Sequence, residues 1–398
     1  MTLLHREDAV AAVKRSAPGA NSFALMFALE SITRALLATV IPLQAYAILG
    51  EARDVSVLLL AVALTGLVGS FTIPLLIRRI GRRWVYPLGG ACLLLCAVTL
   101  ATQTLWGQVV AMLARVFGTA CLNITLNLYI MDYIHKRDLV RSEPRKFLFS
   151  GAAWTIGPSL GIVLQSQLGI AVTCGLSGLG AVLVLANFWR LRLQDNPAVA
   201  LATRPPPNPF ASIGRFLAQP RLRLAWAIAF GRTCWWGVFM VYGPLFMVRA
   251  GLGPLSGALM VSGASAMLFL APLWGRLGAR LGLRTMIAGA FCFAGAMTLA
   301  AGVLGALPLG AAVLLMLAAL GGTCLDSIGN IPFLRAARAH ERPQMTTVFR
   351  TYMDLADLAT SGVLSVLLSF YDVPSVFIAS GIGAFALAAL ARYLPRSM

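Results

Sequence analysis

Charge is scarce in this chain. Only 12% of its 398 residues are Asp, Glu, Lys or Arg, and acids are scarcer still, 14 against 32 bases. Soluble globular proteins carry nearer a quarter charged residues, so a fully water-facing exterior is excluded. With 59% hydrophobic residues and a mean hydropathy of +0.82, most of the chain must face lipid or other apolar helices. Histidine occurs three times and cysteine seven times. Cys92, Cys96, Cys121, Cys174, Cys234, Cys292 and Cys324 all lie in apolar segments without a CxxC pair, which reads as small buried hydrophobes rather than disulfides or metal ligands. His135 and His340 read as solvated loop residues, and no metal or cofactor is expected. No glycine-rich phosphate loop is present, which excludes a pump driven by ATP. No nucleophile and base pair is evident either, so an enzyme is not expected.

A net charge of +18 would suit nucleic acid, but its placement excludes that partner. Arg53 and Arg249 fall on one side of any consistent topology and Arg34, Arg115, Arg232 and Arg350 inside spans; the remaining Lys and Arg gather in the N-terminus, alternate loops and tail. This is the positive-inside asymmetry, predicting cytoplasmic termini in a bacterial-type inner membrane. The N-terminus, with Arg6, Glu7, Asp8, Lys14 and Arg15 before the first apolar run, lacks the order of a cleavable signal peptide, so that run is expected to be retained.

A bilayer-spanning helix needs about 20 mostly apolar residues. Such segments start near Ser22, Val55, Trp84, Leu105, Lys146 and Gly169, and again near Leu224, Leu255, Thr285, Leu307, Thr346 and Pro374. The prediction is therefore an all-α integral membrane protein of about twelve transmembrane helices in two six-helix halves, residues 1–190 and 224–398. Between them the polar, proline-rich 191–223 stretch, with Arg204-Pro-Pro-Pro-Asn-Pro, reads as a cytoplasmic linker. The halves overlay at an offset of about two hundred residues. Ile41-Pro42-Leu43 answers Gly243-Pro244-Leu245, Gly81 answers Gly282, and Cys121-Leu-Asn123 with Asn127 answers Cys324-Leu-Asp326 with Asn330. Two parallel repeats with a site between them near the midplane suit alternating access.

The arginine-rich hairpins of the repeat carry a resemblance. Arg79, Gly81, Arg82 and Arg83 in the first copy, and Gly275, Arg280, Gly282 and Arg284 in the second, resemble the signature loops of the major facilitator superfamily. Pro74 stands where that signature begins with glycine, and Arg78 and Ala279 stand where it carries an acid that latches the cytoplasmic side. Gly157-Pro158-Ser-Leu-Gly161 is similar to the fifth-helix signature of the superfamily's proton-coupled antiporters, with Ile162 in place of a following glycine. Physically, glycines allow close helix approach and proline bends the helix. The resemblance covers essentially the whole chain and implies a secondary transporter.

The chemistry is expected from ionisable residues inside spans, each of which costs about 3 kcal/mol at a helix centre and so needs a partner or a task. Measured along their helices, Glu30, Arg232, Asp326 and Asp354 lie roughly 12 Å deep, with Arg34 and Asp357 about a turn beyond. Glu30 and Arg34, four apart, share a face. They form either a self-neutralising pair or part of a central cavity in which Glu30 exchanges a proton and Arg34 contacts substrate. Organic-anion exchangers of the superfamily place arginines on the first and seventh helices, which keeps Arg34 and Arg232 open as anion ligands. Arg350, Asp354 and Asp357 are expected on one stripe of the eleventh span, Arg350 as an anchor and the two acids as proton sites. Arg115 resembles the fourth-helix arginine linked to proton coupling in the antiporters, with counter-ion to Glu30 or Asp132 as the other reading. Asp326, replacing Asn123 of the first half, is expected with Asn123 and Asn127 at the substrate, and Trp236 is a stacking candidate beside Trp235. The expected solute is an amphiphilic or toxic compound exported against protons; uptake or exchange of an organic anion is the alternative, and a membrane sensor that no longer transports is the remote one. Lipid, protons and a small molecule are the expected partners, and the expected state is a monomer.

Overall fold

The computed structural model describes residues 20–133, 136–191, 209–337 and 342–395, which form helices and no strands. The first half comprises α1 (Ala20–Leu36), α2 (Val40–Leu49), α3 (Ala52–Ile80), α4 (Arg82–Leu100), α5 (Leu105–Tyr133), α6 (Lys136–Leu168) and α7 (Ile170–Arg190). The second comprises α9 (Pro220–Arg249), α10 (Gly253–Ala266), α11 (Ala271–Leu281), α12 (Leu283–Val303), α13 (Pro308–Ile328), α14 (Ile331–Ala336), α15 (Arg342–Phe349), α16 (Thr351–Leu367) and α17 (Pro374–Ala391). Between them, α8 (Pro209–Leu217) packs on α9 and α15; residues 192–208 of the expected linker lie outside the described residues.

Ten of the described segments are long and apolar enough to cross a membrane. The expected fifth and eleventh spans are not among these ten. Helix α6 begins at Lys136, ten residues before the expected span start at Lys146. Helix α16 is 17 residues long and carries Asp354 and Asp357. Together with the ten they complete the twelve-helix arrangement.

The repeat is visible in the packing. Helix α4 packs on α5 as α12 packs on α13, and α1 packs on α6 and α7 as α9 packs on α16 and α17. The halves meet through two equivalent seams, α6 on α10 and α3 on α16, which are the same pair of repeat positions with the halves exchanged. Gly81 and Gly282 adopt φ of +80° and +85°, each ending one helix and opening the next. That left-handed backbone is readily available only to glycine, which explains the matched glycines of the two arginine-rich loops.

These loops lie at one end of the bundle, here the basic end. Away from that end the halves are joined by hydroxyl pairs, one buried and one part-buried. Ser56 Oγ on α3 lies 2.7 Å from Tyr242 Oη on α9; Ser159 Oγ on α6 donates to Ser262 Oγ on α10 at 2.7 Å. Tyr46 and Ala52 pack into the second half's core cluster, and Val248 and Ala258 into the first half's. Arg249, at the end opposite the loops, pairs with Asp372 at 3.2 Å.

Candidate functional site in the interior of the bundle

The first span is not one helix. It is interrupted at residues 37–39, between α1 and α2. Ala38 N bonds to Ala35 O rather than to Arg34 O, so the Arg34 carbonyl loses its helical partner, and an interrupted helix must satisfy such groups elsewhere. Arg115 Nη2 on α5 donates to that carbonyl at 3.0 Å, and Ser177 Oγ on α7 donates to the Thr33 carbonyl at 2.9 Å. Gly157 and Gly161 of α6 face the same break; a Cβ at Gly161 would overlap the Leu36 carbonyl oxygen, and one at Gly157 would press on Ala35. The glycines and Pro158 of the fifth-span motif, all buried, thus let α6 close over the break.

Just before the break, Arg34 Nη1 pairs with Glu30 Oε1 at 3.2 Å, with Glu30 fully buried and Arg34 one quarter exposed. The expected i, i+4 pair is formed. Tyr86, on the Glu30 side of this pair, and Tyr129 are both fully buried and packed on Phe188, with ring centroids 4.7 and 6.0 Å from it. Arg115 forms no ion pair with a described carboxylate; its hydrogen bond goes to backbone. The side chain of Asp132 lies outside the described residues, as do His135 and His340.

In the second half Arg232 of α9 is held from three sides. Its Nε lies 3.2 Å from Asp326 Oδ1 of α13, Nη2 donates to Tyr352 Oη of α16 at 3.3 Å, and Nη1 donates to the Leu325 carbonyl at 3.4 Å. The guanidinium carbon also sits 5.9 Å from the Tyr352 ring centroid. Asp326 keeps 31% of its side-chain surface exposed. The Trp236 indole nitrogen approaches Asp326 without meeting hydrogen-bond geometry. Trp235 instead donates to Thr298 Oγ1 at 2.9 Å and packs edge-on against Trp236, so it is core rather than a stacking platform.

The eleventh span, expected to run unbroken from Thr346, is interrupted at Arg350, which sits exposed between α15 and α16. The Phe333 and Phe349 rings stack at 4.0 Å below this junction and Phe349 meets Tyr352 edge-on. One turn apart on α16, Asp354 is half-buried and Asp357 exposed, and neither forms an ion pair among the described residues. Next to Asp357, the Ala356 carbonyl accepts from Cys234 Sγ of α9 at 3.9 Å. Asn123 and Asn127 lie half-buried on α5. Of the loop residues, Arg79, Arg83, Gly275 and Arg280 are exposed, whereas Gly81, Arg82, Gly282 and Arg284 are partly covered.

Residues 23–356 match the Major Facilitator Superfamily. The chain belongs to that superfamily. Solved structures agree in fold: peptide transporter POT in complex with sulfate superposes with a TM-score of 0.74 at 15% identity over 96% of each chain. A POT family transporter in complex with 5-aminolevulinic acid gives 0.74 at 14% identity, over 95% of this chain and 98% of that one. No curated protein matches the chain. At these identities the likeness is one of fold, so the site is read from its own residues. In this major facilitator chain the unforeseen members of the site are Tyr352, Tyr86 and Tyr129. Their only sequence signal is a tyrosine within a turn of an acid considered above, as Tyr352 stands two before Asp354 and Tyr129 three before Asp132; Tyr86 has no such neighbour.

Proposed function

We propose that this chain is a proton-coupled secondary transporter that exports an amphiphilic, cationic compound in exchange for protons by alternating access. One contrast supports the reading. Both arginines available to an anionic substrate already hold a carboxylate, Arg34 with Glu30 and Arg232 with Asp326. Asp354 and Asp357, in contrast, hold no ion pair among the described residues. An unpaired carboxylate inside a span is costly unless it binds a proton or a cation in turn. Two carboxylates one turn apart on α16 can therefore take up a proton and yield it to a cation. Glu30 is a further proton site, shielded by Arg34; Asp326, Asn123, Asn127 and Trp236 contact the solute, and Arg115 holds the break in the first span. The halves are residues 1–190 and 224–398, joined by 191–223, in a bacterial-type inner membrane with cytoplasmic termini, working as a monomer. The joined hydroxyl pairs away from the basic loops then correspond to a state open to the cytoplasm.

The test is proton movement in proteoliposomes holding a pH dye, with cationic, neutral and anionic solute pools and with Asp354→Asn and Asp357→Asn alongside. Cation-driven proton flux that either variant abolishes is the expected result. Flux driven by the anionic pool alone would turn the reading to an organic-anion carrier. Isotope-detected solute flux without proton movement would make the protein a uniporter or solute exchanger.

A further inference from the structure

The ends of α4 and α7 at the basic end carry a cluster that the transport site does not use. The Arg83 guanidinium carbon lies 5.8 Å from the Trp84 ring centroid. Trp84 meets Trp189 edge-on at 6.2 Å, and Trp189 meets Phe188 edge-on at 5.9 Å. Phe188 is buried and stacked on Tyr86, so the platform is anchored in the core of the first half. Its outer surface is open, with Trp84 49% and Trp189 41% exposed. Arg83 and Arg190 flank the two tryptophans and are exposed too.

Charge decides what this surface fits. Neither α4 nor α7 contains an acidic residue, and neither Arg83 nor Arg190 forms an ion pair among the described residues. Below the tryptophans, exposed apolar side chains continue along the same stripe of each helix, Leu88 and Leu95 under Trp84 on α4 and Val182 under Trp189 on α7. Two arginines at the rim without an ion pair among the described residues, two amphipathic rings at interface depth and an apolar track beneath reproduce, in order, the headgroup, glycerol and acyl regions of a lipid. A rigid aromatic pair gives this contact area at small entropic cost.

We propose that the α4–α7 seam binds one anionic phospholipid, its phosphate between Arg83 and Arg190 and an acyl chain along Trp84, Trp189 and Leu88. The site is independent of the transport reading, since it shares no residue with the interior charges.

The full chain is reconstituted in vesicles containing either dibrominated phosphatidylglycerol or dibrominated phosphatidylcholine at equal fraction, and tryptophan quenching is compared. Quenching by the anionic lipid exceeds that by the zwitterionic one in the wild-type protein. Each arginine near a membrane surface contributes roughly fivefold in affinity, so Arg83→Ala with Arg190→Ala lowers the preference on the order of tenfold or more. Trp84→Phe with Trp189→Phe removes the excess quenching while leaving far-ultraviolet circular dichroism unchanged. Equal quenching by the two headgroups in the wild type overturns the proposal. So does an excess that survives the double arginine variant, or one abolished by inorganic phosphate, which would assign the patch to a soluble anion.

Discussion

Arg232 and Asp326, 94 positions apart in the numbering, meet at 3.2 Å between α9 and α13. The pair answers a break in the repeat, because the first half has Asn123 where the second has Asp326. A charge that appears in only one half finds its counter-charge within that half.

Removing one partner of this pair leaves a largely buried charge without compensation. Arg232→Met or Asp326→Leu alone is expected to cost roughly 3 kcal/mol, near the lower end for buried pairs because Asp326 is partly exposed. The double variant recovers most of that loss, since two apolar side chains pack where two charges were. Thermal unfolding in detergent measures it, and a double variant no more stable than either single one contradicts the account.

Tyr352 acts on the same guanidinium. Tyr352→Phe removes only the hydroxyl that accepts from Arg232 Nη2 and should cost about 1 kcal/mol. Tyr352→Ala also empties the space beside Phe349 and should cost about 3 kcal/mol or more. If the two substitutions lower the melting temperature equally, the ring packing has been overvalued.

Close approach at the first-span break makes Gly161 intolerant of any side chain. Gly161→Ala forces α6 away from the Leu36 carbonyl and is expected to destabilise by about 1–3 kcal/mol, as overpacking does. Gly289→Ala and Gly383→Ala, where an added Cβ meets open space, serve as controls and should match the wild type or gain slightly. The yield of monodisperse protein and the melting temperature distinguish the cases.

The hydroxyl pairs between halves can be converted to covalent links. Ser159→Cys with Ser262→Cys, in a background with the seven native cysteines replaced, should form a disulfide under mild oxidation, because the native oxygens already sit 2.7 Å apart. Solute flux should stop on oxidation and return on reduction. A cross-linked protein that still transports would show that the α6–α10 seam need not open.

Much of the architecture was legible without coordinates. The apolar segment starts at Leu105, Thr285, Leu307 and Pro374 lie within two residues of the observed helices, because lipid imposes one length and one polarity on every span. The Glu30–Arg34 pair was legible for a similar reason, since a spacing of four on a helix is itself a contact. The interruption at residues 37–39 is written locally, because Pro42 cannot donate to the Ala38 carbonyl four residues before it; at Arg350, where no proline or glycine stands in the interruption, the sequence was silent.

The chain's composition and repeat alone determined a twelve-helix membrane fold in two halves and the set of intramembrane charges. Only the tertiary structure decided how those charges are divided, with Arg34 and Arg232 engaged, Arg115 bonded to a backbone carbonyl, and Asp354 and Asp357 without an ion pair among the described residues. The physical reason is range. Hydropathy and helical spacing act within a segment and are written in order along it, whereas ion pairs such as Arg232–Asp326 and the Arg115 bond to Arg34 are set by which helix faces are pressed together.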